Sequence, residues 1–559
     1  MTSLDTLLPF VGHLSKAIDM NDSKSFVFRT EDIRPEEILE LFVPTERDLQ
    51  LITALKSASP VILEGSRGTG KSFLLRVCEQ QQMAEFGTAR VVPVYISFVK
   101  SSLLSTKNEQ QFQHWMLARL ASRVLRTLYQ LGLLAKPTPS AAILAGGEVG
   151  AAGELTELEK VAQRFEDSFK RPGELVDDRA VPDVESFRDA IQDLCGELGL
   201  RRINVLFDEA AHIFRPEQQR QFFTLFRDLR SPYMTCNAAV YPGVTSYGPS
   251  FEAVHDAQIE SLNRDIHAAT YREQMREIVL KQSGAELQSD IEKNGENFDA
   301  LALAVSGNPR LLLKTVALAG RLRSSDVQAV LKDFYRNSIW AEHSALAERY
   351  PGHKELIDWG RTFVELHAIP DAIQKNESWK AEGKAERTCY FWVHRDSPEA
   401  VAEALRLLAY TGVIIKIDSG VVATRRDIGS RYAINIGCLA APSSNPIAFI
   451  SDLKRGVTIK RFTEYGQNHP PFVEIAARVG VMVDSDLSSA LEKLLSSPTS
   501  VLDLTDHQRW ALNWIGIKTV GEALTSSEAK FQRAMYIGPV RSRKMMNVVT
   551  AAVMEFLSG

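Results

Sequence analysis

The sequence lacks the features that mark secreted, membrane-spanning and disulfide-stapled proteins. No window approaches the roughly 18–20 consecutive apolar residues of a transmembrane helix, and the first residues lack a basic start followed by a long apolar stretch. The five cysteines are widely scattered and form no CxxC pair, which favours reduced thiols over disulfides or a zinc site. We therefore expect a cytoplasmic protein with no membrane association.

No single sign of charge dominates the chain either. The 559 residues include 65 Lys and Arg against 70 Asp and Glu, for a formal net charge of −5. Residues 385–559 hold 20 basic and 17 acidic residues, an excess of +3 that leaves −8 for the remainder. The C-terminal third is therefore the part whose charge favours contact with phosphate groups.

Short apolar runs alternate with helical patterns over residues 60–260. The runs lie at 60–64, 90–99, 203–207 and 235–241, and helices are predicted over 71–83, 109–129, 184–198 and 217–229. This alternation predicts an α/β fold with a parallel sheet covered on both faces. We predict five regions: a lead over 1–45, an α/β core over 46–264 with a partly flexible insertion at about 136–183, a helical region over 265–335, a helix-plus-hairpin region over 336–440 and a helical C-terminal region over 441–559.

A glycine-rich loop follows the first apolar run. Its sequence GSRGTGKS fits G-x-x-x-x-G-K-[ST] at every position, with a strand before it and a helix after it. Such a loop directs backbone N–H groups and a helix N-terminus at phosphate oxygens. Lys71 is predicted to bridge the β- and γ-phosphates of a nucleotide, and the Ser72 hydroxyl to bind Mg²⁺. The predicted phosphate-binding residues are Gly65, Ser66, Arg67, Gly68, Thr69, Gly70, Lys71 and Ser72.

A later apolar run ends in two acids, in the sequence INVLFDE. Asp208 is predicted to hold Mg²⁺, and Glu209 to polarise an attacking water, which indicates hydrolysis as well as binding. The ordinary alternative is a solvated strand end. Further along, SGNPRLL places Arg310 in the first turn of a helix, from which its guanidinium could reach a γ-phosphate; the alternative is a surface arginine at a common helix start.

Together, GSRGTGKS, LFDE, a strand with NAAVYPGVT, and SGNPR in a helical region resemble AAA+ ATPases over residues 40–440. The resemblance is to the origin-recognition and replication-initiator branch and to the neighbouring STAND signalling NTPases. It implies ATP as the nucleotide, residues 265–335 as a lid, Arg310 as sensor 2, and a homo-oligomer. Two roles stay open. The sensor 1 candidates are Asn237, Tyr241 and Thr245, and the arginine-finger candidates are Arg227, Arg230 and Arg264.

The AAA+ branch typically has a winged-helix domain after the lid, and residues 336–440 carry a matching pattern. A helix over Ser397–Tyr410 precedes the apolar runs Val413–Ile417 and Arg431–Ile436, with a turn predicted at Asp418–Gly420. Arg425 and Arg426 fall between these two runs, on the wing, where they could lie along a phosphate backbone. Winged helices also serve as protein-contact modules, so DNA contact is one of two interpretations.

The C-terminal region contains MYIGPVRSRKMMNVV. A tight turn at Gly538, followed by Arg541, Arg543 and Lys544 at a helix start, resembles a helix-hairpin-helix motif that exposes N–H groups to a phosphate. The segment is similar to the C-terminal domain of the bacterial RNA polymerase alpha subunit, from which it departs at Pro539. A helical protein-interaction tail is the alternative.

These features favour an ATP-hydrolysing AAA+ switch that couples nucleotide state to DNA binding or assembly. A STAND-like sensor ATPase of bacterial antiviral defence, oligomerising with a protein partner, is a second hypothesis. A slow nucleotide-binding scaffold is a third. The sequence shows no effector motif, so any effector is expected to be a separate protein.

Overall fold

The structure is a computed structural model, and it describes residues 26–98, 109–136, 138–148, 154–167, 176–209, 216–242, 245, 247–248, 251–349, 351–479, 494–502 and 504–557. The chain divides into two compact units. The first comprises Met1–Ser397 and Ala402–Gln467, and the second comprises Pro398–Val401 and Asn468–Gly559.

A five-stranded parallel sheet forms the centre of the first unit, in the order β2-β3-β4-β1-β5. Its strands are β1 (Val61–Glu64), β2 (Val91–Ser97), β3 (Arg202–Asp208), β4 (Met234–Val240) and β5 (Gln258–Ser261). Each of the first four matches a predicted apolar run, whereas β5 was not predicted. The residues of β5 are mostly exposed, because it is an edge strand. It therefore lacks the apolar run that is typical of a strand covered on both faces.

Helices cover both faces of the sheet, which confirms the predicted α/β class. They are α1 (Ile38–Leu41), α2 (Glu46–Leu55), α3 (Lys71–Ala89), α4 (Glu109–Gln130), α5 (Pro139–Ala145), α6 (Glu157–Glu166), α7 (Val184–Leu198), α8 (Pro216–Asp228) and α9 (Ala253–Asp256). Alternate residues of β1 enter different cores: Ile62 packs with the cluster that contains α4 and α7, while Val61 and Leu63 pack with α2 and α3. This alternation is what a strand buried on both faces produces.

The predicted insertion contributes to the larger of these cores. Helices α5 and α6 bury Leu144, Val161 and Phe165 completely against it. Residues 149–153, part of the segment predicted to be flexible, lie outside the described residues.

A buried amide network crosses the middle of the sheet. Asn237 on β4 donates to Asn204 on β3 (2.8 Å), and its carbonyl oxygen accepts from the backbone N–H of Val61 (3.0 Å). Asn204 in turn donates to the carbonyl of Leu55 (3.0 Å) and to Gln82 of α3 (2.8 Å). The network therefore joins three strands to the helices on one face.

The helical region after β5 contains α10 (Tyr271–Leu280), α11 (Ala285–Lys293), α12 (Gly295–Ala304), α13 (Pro309–Ala319) and α14 (Ser324–Asp333). Helix α13 begins as its sequence predicts. Asn308 caps it by accepting from the backbone N–H of Leu311, and Pro309 occupies the first position.

A second sheet, in the order β7-β8-β6-β9, lies in the part of the first unit that follows α14, and its strand β9 comes from beyond the predicted boundary at residue 440. Its strands are β6 (Tyr390–His394), β7 (Ile414–Val422), β8 (Ile428–Ile434) and β9 (Thr463–Tyr465). The helices of this part are α15 (Ile339–Ser344), α16 (Leu346–Arg349), α17 (Lys354–Phe363), α18 (Ile369–Ala381), α19 (Glu399–Thr411), α20 (Ile436–Ala440) and α21 (Pro446–Gly456), with π-helical turns at Phe334–Ser338 and Val364–Ala368.

The hairpin differs from the prediction in the position of its turn. Asp418–Gly420 lies inside β7, where the pairing with β8 shifts register on both sides of Ser419. Gly420 has a positive φ of 76°, which suits the irregular backbone of a bulge. The segment Asp418–Gly420 has the residue types of a turn, and for that reason the turn was predicted in the wrong place. The actual turn holds Arg425 and Arg426. Helix α19 separates β6 from β7 and precedes the hairpin, and the winged-helix domain stays a prediction.

The second unit contains short helices around a small apolar core. They include α22 (Asp506–Trp514), α23 (Val520–Leu524), α24 (Glu528–Phe531) and α25 (Pro539–Leu557), after a helix over residues 470–479. Leu512, Val520, Phe531 and Val549 meet in its core. The left-handed residue before α25 is Tyr536 (φ 63°), not the glycine that a tight Gly turn would use.

All five cysteines are buried free thiols. Of the helices in the described ranges, none has the length and hydropathy needed to cross a membrane.

Candidate functional site

The loop Gly65–Ser72 connects β1 to α3 at the carboxyl edge of the parallel sheet. Gly68 and Gly70 have φ values of 89° and 102°, which a side chain would disfavour. Helix α3 begins at Lys71, and no side chain caps its N-terminus. The first-turn N–H groups and the positive end of the helix dipole are therefore available to an anion.

The Lys71 side chain is buried against this loop. Its Nζ donates to the carbonyl oxygens of Gly65 (2.6 Å) and Ser66 (3.1 Å), and it lies 3.7 Å from the centroid of the Tyr241 ring. Burial lowers the pKa of Lys71 to about 7, although the carboxylates of Glu209 and Asp208 oppose the shift. A polyphosphate would supply the counter-charge that this buried ammonium needs.

The predicted acid pair ends β3 beside Lys71. Asp208 accepts from the Tyr95 hydroxyl at 2.6 Å and from the backbone N–H of Glu209 at 3.0 Å. Glu209 adopts a left-handed backbone (φ 59°), a strained conformation for this residue. Burial, and then the charge of Asp208, raises the pKa of Glu209, while Lys71 opposes that shift. A carboxylate with a raised pKa is suited to take a proton near neutral pH.

The sequence left sensor 1 open among three residues, and the structure separates them. Tyr241, just after β4, enters the site and donates to Glu209 Oε1 at 3.2 Å. Asn237 is fully buried in the amide network within the sheet, in the middle of β4 and four residues before Tyr241. Thr245 donates to the carbonyl of Tyr241 at 2.7 Å. Tyr241 is therefore the candidate that touches the other site residues.

The start of α13 packs directly on the phosphate loop. A Cβ built on Gly68 would lie 2.8 Å from Asn308 Oδ1 and 3.0 Å from Arg310 Cβ, so only glycine permits this approach. Asn308 also donates to the carbonyl of Arg67 at 2.8 Å. Arg310 lines the cleft, and its Nε donates to the carbonyl of Phe28 at 3.0 Å. Arg310 therefore lies in the cleft, and its contact with a γ-phosphate stays a prediction.

Of the arginine-finger candidates, Arg264 lies inside the cleft rather than on the surface. Its side chain is only 14% exposed, and Nη1 donates to the carbonyl of Thr69 at 2.8 Å. Its Nη2 lies 3.8 Å from Asp48. Arg227 pairs with its neighbour Asp228 at 2.9 Å, outside the residues that line the cleft. Arg230 is exposed after α8.

The cleft has an empty volume of about 950 Å³, which suits a nucleotide. Its apolar wall combines the lid residues Ile278 and Leu313 with residues of the N-terminal lead. No role in the site was predicted for this lead, because its scattered apolar residues form no motif. Its contributions are Val27, Phe28, Ile33, Leu41, Phe42 and Val43.

The five predicted DNA-contacting residues occupy exposed positions. Arg425 and Arg426 form the tip of the β7–β8 hairpin. Arg541, Arg543 and Lys544 lie in the first turns of α25; Arg541 donates to the carbonyl of Tyr536 (2.8 Å), and Arg543 lies 3.5 Å from Glu528.

The phosphate loop and its surroundings also have a family resemblance. Residues 24–131, which hold the lead, the loop, α3 and β2, match the model of the ORC-CDC6-like family. This region is similar to the ORC-CDC6-like family. The match confirms the resemblance to the origin-recognition branch for these residues. The similarity of the C-terminal region to an RNA polymerase domain stays a prediction.

Two solved structures are similar to the chain that contains this ORC-CDC6-like region. The Aeropyrum pernix ORC1 protein in complex with DNA is 15% identical, with 75% of this chain and 94% of that chain covered and a TM-score of 0.29. The Aeropyrum pernix ORC2 protein, solved as ADPNP-ADP complexes, is 11% identical, with coverages of 78% and 97% and a TM-score of 0.31. A search of curated proteins found no match.

Proposed function

We propose that the chain binds ATP with Mg²⁺ in this cleft, hydrolyses it, and uses the nucleotide state to control DNA binding or assembly. One observation carries the proposal: the uncapped N-terminus of α3, the Lys71 ammonium and the Asp208–Glu209 pair meet at one edge of the sheet. The first two features suit a polyphosphate, and the acid pair suits a metal ion and a water.

The loop residues divide the binding between them. When bound, ATP supplies a phosphoanhydride bond whose γ-phosphoryl group passes to water. Lys71 would bind the β- and γ-phosphates, and Ser72 and Asp208 would hold Mg²⁺. The Tyr95 hydroxyl, at 2.6 Å from Asp208, fixes the orientation of that carboxylate.

The remaining residues would act on the water and on the γ-phosphate. Glu209 would take the proton of the attacking water, because its raised pKa suits a base that works near neutral pH. Tyr241 is a positioning residue that donates to Glu209 Oε1. Arg310 would bind the γ-phosphate from the lid, so that lid position depends on which nucleotide is present.

The helix-plus-hairpin region would receive this change directly. Arg67 of the loop forms an ion pair with Glu342 on α15 (3.0 Å), and its backbone N–H donates to the carbonyl of Tyr410 on α19 (3.4 Å). The exposed basic residues of the hairpin and of α25 would contact DNA.

A nucleotide titration tests the proposal. Binding of a fluorescent ATP analogue and Mg²⁺-dependent phosphate release are measured on the full chain, with and without duplex DNA. Lys71→Ala removes charge-assisted contacts worth about 1.5–3 kcal/mol each, and should weaken binding at least tenfold. Lys384→Ala, an exposed lysine paired with Glu382, is the control. If Lys71→Ala binds ATP as tightly as the parent, the assignment of this loop as the nucleotide site is wrong.

A further inference from the structure

A second cleft lies on the β2 side of the first unit, away from the nucleotide cleft. It has an empty volume of about 910 Å³ and is lined by four arginines, which we call the arginine cleft. Arg119, Arg123 and Arg126 project from one side of α4, at spacings of four and three residues, which place them on the same helix face. Arg76 on α3 completes the set.

The arginines outnumber their acidic partners. Arg76 pairs with Glu79 (2.8 Å), which also lies 4.0 Å from Arg123. The other two pairs are Arg119 with Glu166 (3.4 Å) and Arg126 with Glu159. Among the described residues, four guanidinium groups therefore face three carboxylates. Counted over the described residues, the cleft has one positive charge in excess.

Donors also remain for a ligand. Each guanidinium carries five N–H donors, and the contacts within the described residues use one or two of them. The Nε of Arg119 lies 3.4 Å from Glu166 Oε1 without forming a hydrogen bond, so this ion pair is not closely fitted. Burial lowers the pKa of Arg123, which shows that its charge is poorly solvated. An anion would relieve this cost.

We propose that the arginine cleft binds a small phosphorylated molecule as a second ligand, separate from the nucleotide. Planar guanidinium groups match phosphate oxygens with two parallel hydrogen bonds, and several such groups around one cavity favour more than one phosphate. Helix α6, from the predicted insertion, closes one side of the cleft with Glu159 and Glu166. The insertion therefore has a binding role as well as a packing role.

The cleft is also joined to the nucleotide site. The guanidinium of Arg76 stacks on the Tyr95 ring at 3.6 Å from its centroid, and the hydroxyl of Tyr95 donates to Asp208. A ligand that draws Arg76 toward its phosphates would alter the support of the residue that holds Mg²⁺. The site thus goes beyond the proposed ATPase function and is tested independently of it.

Calorimetric titration of the full chain with inorganic pyrophosphate at low ionic strength is the test. Pyrophosphate can also enter the nucleotide loop, so two variants separate the sites. Lys71→Ala should retain a pyrophosphate-binding event, whereas Arg119→Ala/Arg126→Ala should lose it or bind at least tenfold more weakly in the Lys71→Ala background. Arg164→Ala, on α6 but outside the cleft lining, is the matched control and should bind normally.

A second variant tests the proposal even if the double variant does not fold. Glu159→Gln keeps the side-chain shape and removes one competing carboxylate, so pyrophosphate should bind severalfold more tightly. The proposal is overturned if Lys71→Ala binds no pyrophosphate, if the folded double variant binds as well as its parent, or if Glu159→Gln leaves affinity unchanged.

Discussion

At the scale of single residues, Lys71 shows how the site prepares for its ligand. The residue is 5% exposed, and its ammonium contacts two loop carbonyls and an aromatic face, none of which carries a full negative charge. Such partners only partly replace water, so the charged form is costly in the free protein. A bound polyphosphate would reverse that preference.

This environment predicts proton uptake when ATP binds. At pH 8 the free lysine, with a pKa of about 7, is mostly neutral, and the triphosphate favours its charged form. Up to about one proton should then be taken up at pH 8, and much less at pH 6, where Lys71 is already charged. Calorimetry in buffers of different ionisation enthalpy measures the uptake. Glu209→Gln should retain it, and equal uptake at both pH values contradicts the prediction.

Glu209→Gln should separate binding from hydrolysis. The amide preserves the shape of the side chain and cannot accept the proton of the attacking water, a role worth about 10²–10⁴-fold in rate. ATP affinity should stay within a few fold while turnover falls by that amount. Glu252→Gln, an acid with 73% of its side chain exposed, is the control. Turnover within twofold of the parent would assign the base to another residue.

At the scale of elements, the helices of the insertion belong to the hydrophobic core of the first unit. Helix α6 is held at its start by a reciprocal cap between Thr156 and Glu159, and it buries Leu158, Val161 and Phe165. An element with this much buried apolar surface is tied to the folding of the whole unit.

Phe165→Ala should therefore destabilise the first unit strongly. Removal of a fully buried aromatic ring costs about 3–5 kcal/mol, whereas Leu155→Ala, at a 41% exposed position beside the same helix, should cost little. Thermal unfolding of both variants measures the difference. Similar midpoints for the two would mean that α6 is only loosely attached.

The contact between the phosphate loop and α15 makes a second prediction at this scale. Glu342→Lys places two positive charges together at the Arg67 pair, in which both side chains are more than 40% exposed. Global stability should change by less than about 1 kcal/mol, because exposed pairs contribute little. Amide hydrogen exchange of residues 65–70 should nevertheless become faster. Glu348→Lys, an exposed acid on α16, is the control, and exchange equal to that control would show that this pair does not restrain the loop.

Local patterns predicted most elements, and long-range packing decided the rest. The capping residue Asn308 and the apolar runs of β1 to β4 have local signals that the structure follows. Tyr241 could not be selected from sequence, because its role depends on Lys71, at the start of α3, and on Glu209, just after β3. The edge strand β5 and the apolar wall from the lead lack any periodic signal, and so they were missed.

At the scale of the whole molecule, basic residues are exposed on both units. The hairpin tip of the first unit carries Arg425 and Arg426, and α25 of the second carries Arg541, Arg543 and Lys544. Only the C-terminal third has a positive balance of charge. This distribution favours a contact with DNA through backbone phosphates rather than through base edges.

Replacement of Arg541, Arg543 and Lys544 by alanine tests that contact. DNA affinity should fall, and the slope of log K against log salt, near −0.9 per neutralised phosphate, should become shallower by about two to three. ATP binding should be unchanged. Lys518→Ala/Arg533→Ala, a pair of cations elsewhere in the second unit, is the control. An intact protein whose DNA binding ignores salt would argue for a protein partner at α25.

The amide network in the central sheet restricts how its strands can align with one another. Apolar strands can slide past one another by two residues and still bury the same kind of surface. The Asn237–Asn204 bond and its links to Val61 and Leu55 are satisfied in one alignment alone. Valine at both positions would keep much of the volume, but the buried Val61 N–H and the Gln82 amide would lose these partners, which costs free energy. Such a chain would also lose the single alignment of β1 and β3, which lie on either side of β4. The distance between Lys71 and Glu209 would then no longer be fixed.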